Sequence, residues 1–150
     1  MPEYLETTSD KFTFRVATDR LYSPEGLWIQ PESVGRVRIG LSDFMQQRSG
    51  DLAFLSVKPP GTSVQAGDDF AELETVKVTQ SIPSPVAGTI LEVNNALGVT
   101  PELVNADPYG GGWLAVVEVA NWDADHAKLL DASVYLSVMQ SQIEQEVQDQ

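Results

Sequence analysis

The chain has 150 residues, 42% of them hydrophobic, a size and composition that suit one domain with its own core. With 22 acidic residues against 9 basic ones, its surface repels phosphate backbones and anionic lipids, so neither nucleic acid nor membrane is expected as a partner, and basic protein surfaces are. Cysteine is absent, which excludes disulfides, zinc thiolates and a thiol nucleophile; any sulfur redox chemistry must arrive on an attached group.

The N-terminus, MPEYLETTSDKF, is acidic and polar where a signal peptide is basic and then apolar, and no run of ~18 apolar residues occurs, so a cytoplasmic protein is expected. The strong net charge further favours a monomer. Residues 1–20 form an N-terminal segment with one short strand candidate, at Phe12, Phe14 and Val16. Leu27-Trp28-Ile29 is followed by Val34 to Leu41, where Val37, Ile39 and Leu41 alternate against Arg36, Arg38 and Gly40 as in a half-buried strand. Ser42-Asp43 offers an N-cap for a helix from Phe44 to about Ser49, stopped by Gly50. Leu52 to Val57 reads as a strand ended by Pro59-Pro60-Gly61, and Gly67 supplies a tight turn.

Phe70 to Thr75 and Val78 to Ile82 are strand-like, followed by the turn Ser84 to Gly88 and a strand from Thr89 to Val93. Pro101 to Gly112 reads as a loop in which Asp107 and Gly110, Gly111 and Gly112 shape turns rather than bind phosphate. Trp113 to Val119 is the last strong strand; helices are expected from about Asp123 to Leu130 and from Asp131 or Ser133, with the polar end QSQIEQEVQDQ fraying. Many short strands at this spacing predict a mainly β sandwich or barrel with a C-terminal α appendage. Trp28, Trp113 and Trp122 are expected in the core or at its rim, and His126, the one histidine, on the surface.

One position breaks the local rules. Gly67 and Gly88 lie ten and eleven residues on either side of Lys77, so two strands of similar length meet at that lysine. Its flanks are Thr75-Val76 and Val78-Thr79, all β-branched, where a tight hairpin favours Asn-Gly or Asp-Gly. Lys77 is also the only lysine or arginine between Pro59 and Ala127, a segment that holds ten acidic residues. Such a conflict between local chemistry and geometry is expected at functional positions, although the pattern alone also allows one continuous strand with a solvent-facing lysine.

Glu74-Thr75-Val76-Lys77 resembles the Glu-Ser-Val-Lys lipoylation motif of the glycine cleavage system H-protein family. Gly40-Leu41-Ser42-Asp43-Phe44, Gly50-Asp51-Leu52, the turn Pro83-Ser84-Pro85-Val86-Ala87-Gly88 and Glu92-Val93-Asn94 resemble further family segments. The longest likeness runs from Pro101-Glu102-Leu103-Val104-Asn105-Ala106-Asp107-Pro108-Tyr109-Gly110 to Gly112-Trp113-Leu114, and the resemblance extends from about Leu21 to Leu136. It implies a lipoyl/biotinyl-type barrel-sandwich of two antiparallel sheets, with 1–20 as an N-terminal segment, 21–122 as the carrier domain and 123–150 as helices packed on it.

The resemblance implies lipoate attached covalently to Lys77, Glu74 as the acidic residue read by lipoate-attaching enzymes, and a carrier rather than an enzyme. No Ser-His-Asp set, metal cluster or phosphate loop contradicts that. A cysteine-free chain also offers no thiol to trap the reduced arm. Implied partners are dihydrolipoyl dehydrogenase and either glycine decarboxylase with aminomethyltransferase or the heterodisulfide-reductase-like complex of sulfur oxidation. The family's His-Glu-Trp histidine is missing from Ser23-Pro24-Glu25-Gly26-Leu27-Trp28, Val78 stands where alanine is usual, and the tail continues past Met139. Those departures resemble the sulfur-oxidation branch and place it first, with glycine cleavage as the alternative. A biotin carrier, whose lysine is normally flanked by methionine, and an unmodified interaction protein complete the set.

Overall fold

In the computed structural model, which describes residues 3–148, the alternating stretches become antiparallel strands joined by short turns. Tyr4–Ser9 (β1) and Phe12–Ala17 (β2) form a hairpin of their own, closed at Asp10, whose φ of 57° is one that aspartate tolerates better than most residues. Leu21–Tyr22 (β3), Leu27–Ser33 (β4) and Arg36–Leu41 (β5) follow. Val34 was expected inside the last of these strands. It sits instead in a two-residue turn with Gly35, whose φ of 80° suits glycine.

The helix at Asp43–Ser49 (α1) has the expected ends: Ser42 Oγ accepts from the Met45 N–H at 3.2 Å, and the Gly50 N–H donates to the Gln46 carbonyl. Leu52–Val57 (β6), Ser63–Val64 (β7), Asp69–Thr75 (β8), Thr79–Pro83 (β9) and Gly88–Val93 (β10) fill the middle of the chain. A single 3-10 turn, Asn95–Gly98, precedes Leu103–Ala106 (α2), a helical turn inside the stretch read as loop. One turn is too short to show helical periodicity in a sequence.

Ala115–Val119 (β11), Trp122–His126 (α3) and Ala132–Gln148 (α4) complete the fold. α3 stops short of the expected Leu130 because Leu130 and Tyr22 exchange two backbone hydrogen bonds of 2.8 Å, which a helix would forbid. α4, capped by Asp131, which accepts from the Val134 N–H at 2.8 Å, runs to Gln148, and the last two residues of the tail expected to fray lie outside the described residues. Arg48 pairs with Glu146 at 2.7 Å, and Ile143 packs on the hairpin cluster.

Six strands form one sheet in the order β3-β4-β5-β11-β10-β7, and three form a second, β6-β8-β9. Between them lies the main core, including Ile29, Ile39, Val117, Ile90, Phe70 and Leu73. A second cluster covers the other face of the larger sheet, where β2 and α4 close over Trp28, with Tyr135 stacked on Tyr22 at 4.6 Å and 4°. That double cover explains the unbroken run Leu27-Trp28-Ile29: the first and third side chains enter the main core and the second enters the outer one. Burial pushes the hydroxyls of Tyr22, Tyr109 and Tyr135 above the ordinary tyrosine range. Tyr22 accordingly donates to the Ala17 carbonyl at 2.6 Å and Tyr109 to the Arg15 carbonyl at 2.7 Å. Among the described residues no helix is long and apolar enough to cross a membrane.

Candidate functional site

The β8–β9 hairpin ends at Lys77. Its last paired residues are Glu74 opposite Thr79, so Thr75 to Val78 make the bend. The Thr75 N–H donates to the Val78 carbonyl at 2.9 Å, and Thr75 Oγ1 accepts from both the Lys77 N–H, at 3.3 Å, and the Val78 N–H, at 3.2 Å. One buried hydroxyl therefore does at this tip what an Asn-Gly pair does elsewhere, by satisfying the backbone donors of the turn. This resolves the mismatch between the β-branched tip and its geometry. Sequence reasoning did not single out Thr75; the available signal was a hydroxyl two residues before the lysine in a bend with no glycine.

Lys77 is exposed, and its amine has no hydrogen bond or ion pair among the described residues. Its neighbours Val76 and Val78 are also exposed, Val76 almost completely at 96%. Glu74 lies on the outer face of the three-stranded sheet, exposed and opposite both Thr79 and Phe54. Replacing Thr75 by the isosteric valine is expected to cost about 1–2 kcal/mol, because two N–H groups lose their acceptor. Serine should recover most of that. Urea denaturation of both variants measures it, and faster amide exchange at residues 77 and 78 localises it.

The hairpin is anchored from a distance by the Pro101–Gly110 segment. Leu52 pairs with Thr75, and the Leu52 N–H donates to Asn105 Oδ1 at 2.9 Å. Asn105 Nδ2 in turn donates to the Gly50 carbonyl at 2.9 Å and to Gln46 Oε1 at 3.0 Å. Asn105 thus ties the end of α1 to the start of β6, beside the tip. Pro108 and Tyr109 extend the staple to the other side, their carbonyls accepting from Trp28 Nε1 at 2.8 Å and Arg20 Nη1 at 2.9 Å. Asp107 Oδ2 accepts from the Gly111 N–H, so this aspartate shapes the loop as expected.

Trp28 is buried and Trp113 and Trp122 are half-buried, also as expected, while His126 is exposed against the Trp122 ring. Counting back from Trp28, the histidine of the His-Glu-Trp segment would fall at Gly26, which is closely surrounded. Gly26 has φ of 104°, and a Cβ there would lie 3.2 Å from Tyr135 Oη and 3.3 Å from Met45 Cβ. Both α4 and α1 thus crowd the position. Among the described residues no cluster of His, Asp and Glu could hold a metal.

Lys77 is thus an exposed amine on a hairpin bend, as Lys11 is on the β1–β2 turn, and differs from it in the bend that Thr75 closes. The space around Lys77 fits an amide-linked lipoyl arm, since neither burial nor an ion pair competes for the nitrogen. The Glycine cleavage H-protein family profile matches residues 20–142. A glycine cleavage system H protein of Cronobacter sakazakii is 39% identical over 127 residues, covering 85% of this chain and 98% of the relative; one from Escherichia coli O7:K1 is 37% identical over the same length. The crystal structure of a glycine cleavage system H protein from Mycobacterium marinum superposes with a TM-score of 0.70 at 32% identity, covering 81% of this chain and 97% of that one.

The chain belongs to the glycine cleavage H-protein family. It is a lipoyl carrier without catalytic activity of its own, in a family whose members hold lipoate covalently on a lysine.

Proposed function

We propose that the chain serves glycine cleavage, with lipoate in amide linkage to the Lys77 amine and Glu74 read by the enzyme that attaches it. The observation that carries this is the unpaired amine at the tip of the bend closed by Thr75. When attached, the group supplies a dithiolane that ferries an intermediate between enzymes. This chain's residues do the rest: Thr75 holds the bend open to solvent, Asn105 fixes the strand beneath it, and the absence of cysteine keeps competing thiols away. The expected partners are lipoate-attaching enzymes, glycine decarboxylase, aminomethyltransferase and dihydrolipoyl dehydrogenase. Basic docking surfaces on them would suit a chain of net charge -13.

The relatives named above support glycine cleavage over sulfur oxidation, which reverses the order suggested by the missing histidine. Carriage of sulfur intermediates for a heterodisulfide-reductase-like complex stays as a second reading, favoured by the missing histidine, Val78 and the tail past Met139. Peptide mapping after lipoylation, followed by reconstitution with the three glycine cleavage enzymes, tests the proposal. A lipoyl mass at Lys77 and glycine-dependent turnover are expected. Loading without any turnover of glycine would transfer support to the sulfur reading, and biotin at Lys77, visible by streptavidin binding, would remove both.

A further inference from the structure

We propose that the outer face of the β6-β8-β9 sheet is where the enzyme that acylates Lys77 docks, with Phe54 as the apolar anchor. This rests on the reading of Lys77 as the modified residue. The starting observation is a bulge. Leu52 pairs with Thr75 and Phe54 with Glu74, leaving Ala53 as an extra residue in β6. Leu52 and Leu55, three apart, are therefore both buried, and Phe54 is turned to the outer face at 54% exposure. Regular alternation from Leu52 would have put Phe54 inside. A phenyl ring held in water contributes little to this fold, and bulges recur where a side chain has to be re-aimed beside a site.

The position of the amine selects this face. An enzyme that encloses the Lys77 nitrogen must rest on one side of a narrow hairpin, and the inner side, at Ala71, Leu73 and Ile82, is packed into the core. The outer side carries two rows across the three strands: Phe54, Glu74 and Thr79, then Ser56, Glu72 and Ser81, all exposed. Two carboxylates are the only charged groups in these rows. The complementary partner offers an apolar pocket flanked by lysine or arginine.

The acylating enzyme is favoured over enzymes that act on the arm, because it alone must reach the lysine's own nitrogen. With a lipoyl acyl-adenylate as donor, the N–C bond forms and the carbonyl carbon–oxygen bond breaks. The nucleotide phosphate leaves with the bonding pair, and the ammonium group sheds two protons.

The test uses the full-length apo chain, a lipoate ligase, ATP and lipoate, with initial rates read by intact mass. For Phe54→Ala, kcat/KM should fall about tenfold or more, mainly through KM, with Phe54→Leu recovering most of the loss. Glu72→Lys should lower it too. Once loaded to completion, Phe54→Ala should be reduced by dihydrolipoyl dehydrogenase at the wild-type rate, with an unchanged melting curve. Wild-type lipoylation kinetics for Phe54→Ala would overturn the docking surface, and so would an equal loss at the dehydrogenase step. A mass gain on Lys77→Arg would instead overturn the site reading beneath it.

Discussion

Replacing Lys77 with arginine is expected to abolish the lipoyl mass gain and all glycine-dependent turnover while leaving the fold unchanged. Arginine keeps the positive charge and nearly the length of lysine, but its guanidinium stays protonated and offers no nucleophilic lone pair. It therefore separates chemistry from electrostatics better than alanine would. The native side chain is exposed and its amine unpaired, so stability should move by no more than about 0.5 kcal/mol. Intact mass after incubation with the attaching enzyme is the direct measurement, and a thermal melt run alongside confirms the fold. Three other lysines, Lys11, Lys58 and Lys128, remain in the variant as internal competitors. If any of them accepted the group at the wild-type rate, presentation at the β8–β9 bend would not be what selects the site.

That selection was partly legible in the sequence, because its elements are local. Ser42, Gly50 and Gly67 mark helix and turn ends through their own side chains or their lack of one, and β6 appears with the expected bounds Leu52–Val57, ahead of Pro59-Pro60-Gly61. The lysine stood out by breaking a local rule. What the sequence hid depends on distant partners. β1 alternates weakly, and its hairpin is held by α4 across more than a hundred residues, through contacts such as Gln140 Nε2 to Thr7 Oγ1 at 3.2 Å. No window along the chain contains both groups.

Thr75 was hidden differently. β-branched residues were counted as strand formers, so the same atoms that argued against a turn turned out to close one. The bulge at Ala53 is a matter of register between strands, which hydrophobic alternation predicts only when pairing is regular. Gly26 carries the same lesson for function. Read in sequence, its missing histidine points to a change of pathway; the fold adds a local reason for glycine, a φ of 104° with Tyr135 Oη 3.2 Å from where a Cβ would lie.

Gly40→Ala should be among the most destabilising single substitutions in the molecule, costing about 3 kcal/mol. Gly40 pairs with Trp28 across β4 and β5, and a Cβ at position 40 would fall 2.4 Å from Trp28 Cζ2 and 2.6 Å from its Nε1. The indole cannot bend away cheaply. It is buried, its Nε1 donates to the Pro108 carbonyl at 2.8 Å, and the Arg20 guanidinium lies 4.7 Å from the ring centroid. Lifting the ring breaks that hydrogen bond and opens the outer cluster where Tyr22, Phe44 and Tyr135 meet. For a domain of this size the loss corresponds to a melting point lower by about 6–12 °C. Gly98→Ala is the control, since nothing lies within 4 Å of its added Cβ and its φ is outside the left-handed region. The two alanines have the same chemistry and differ only in what they meet, so equal melting curves would show that the indole does not sit over Gly40. A selective fall for Gly40→Ala, with altered Trp28 fluorescence, would tie the glycine of the Gly40–Phe44 segment to the Pro108 loop that anchors the carrier hairpin.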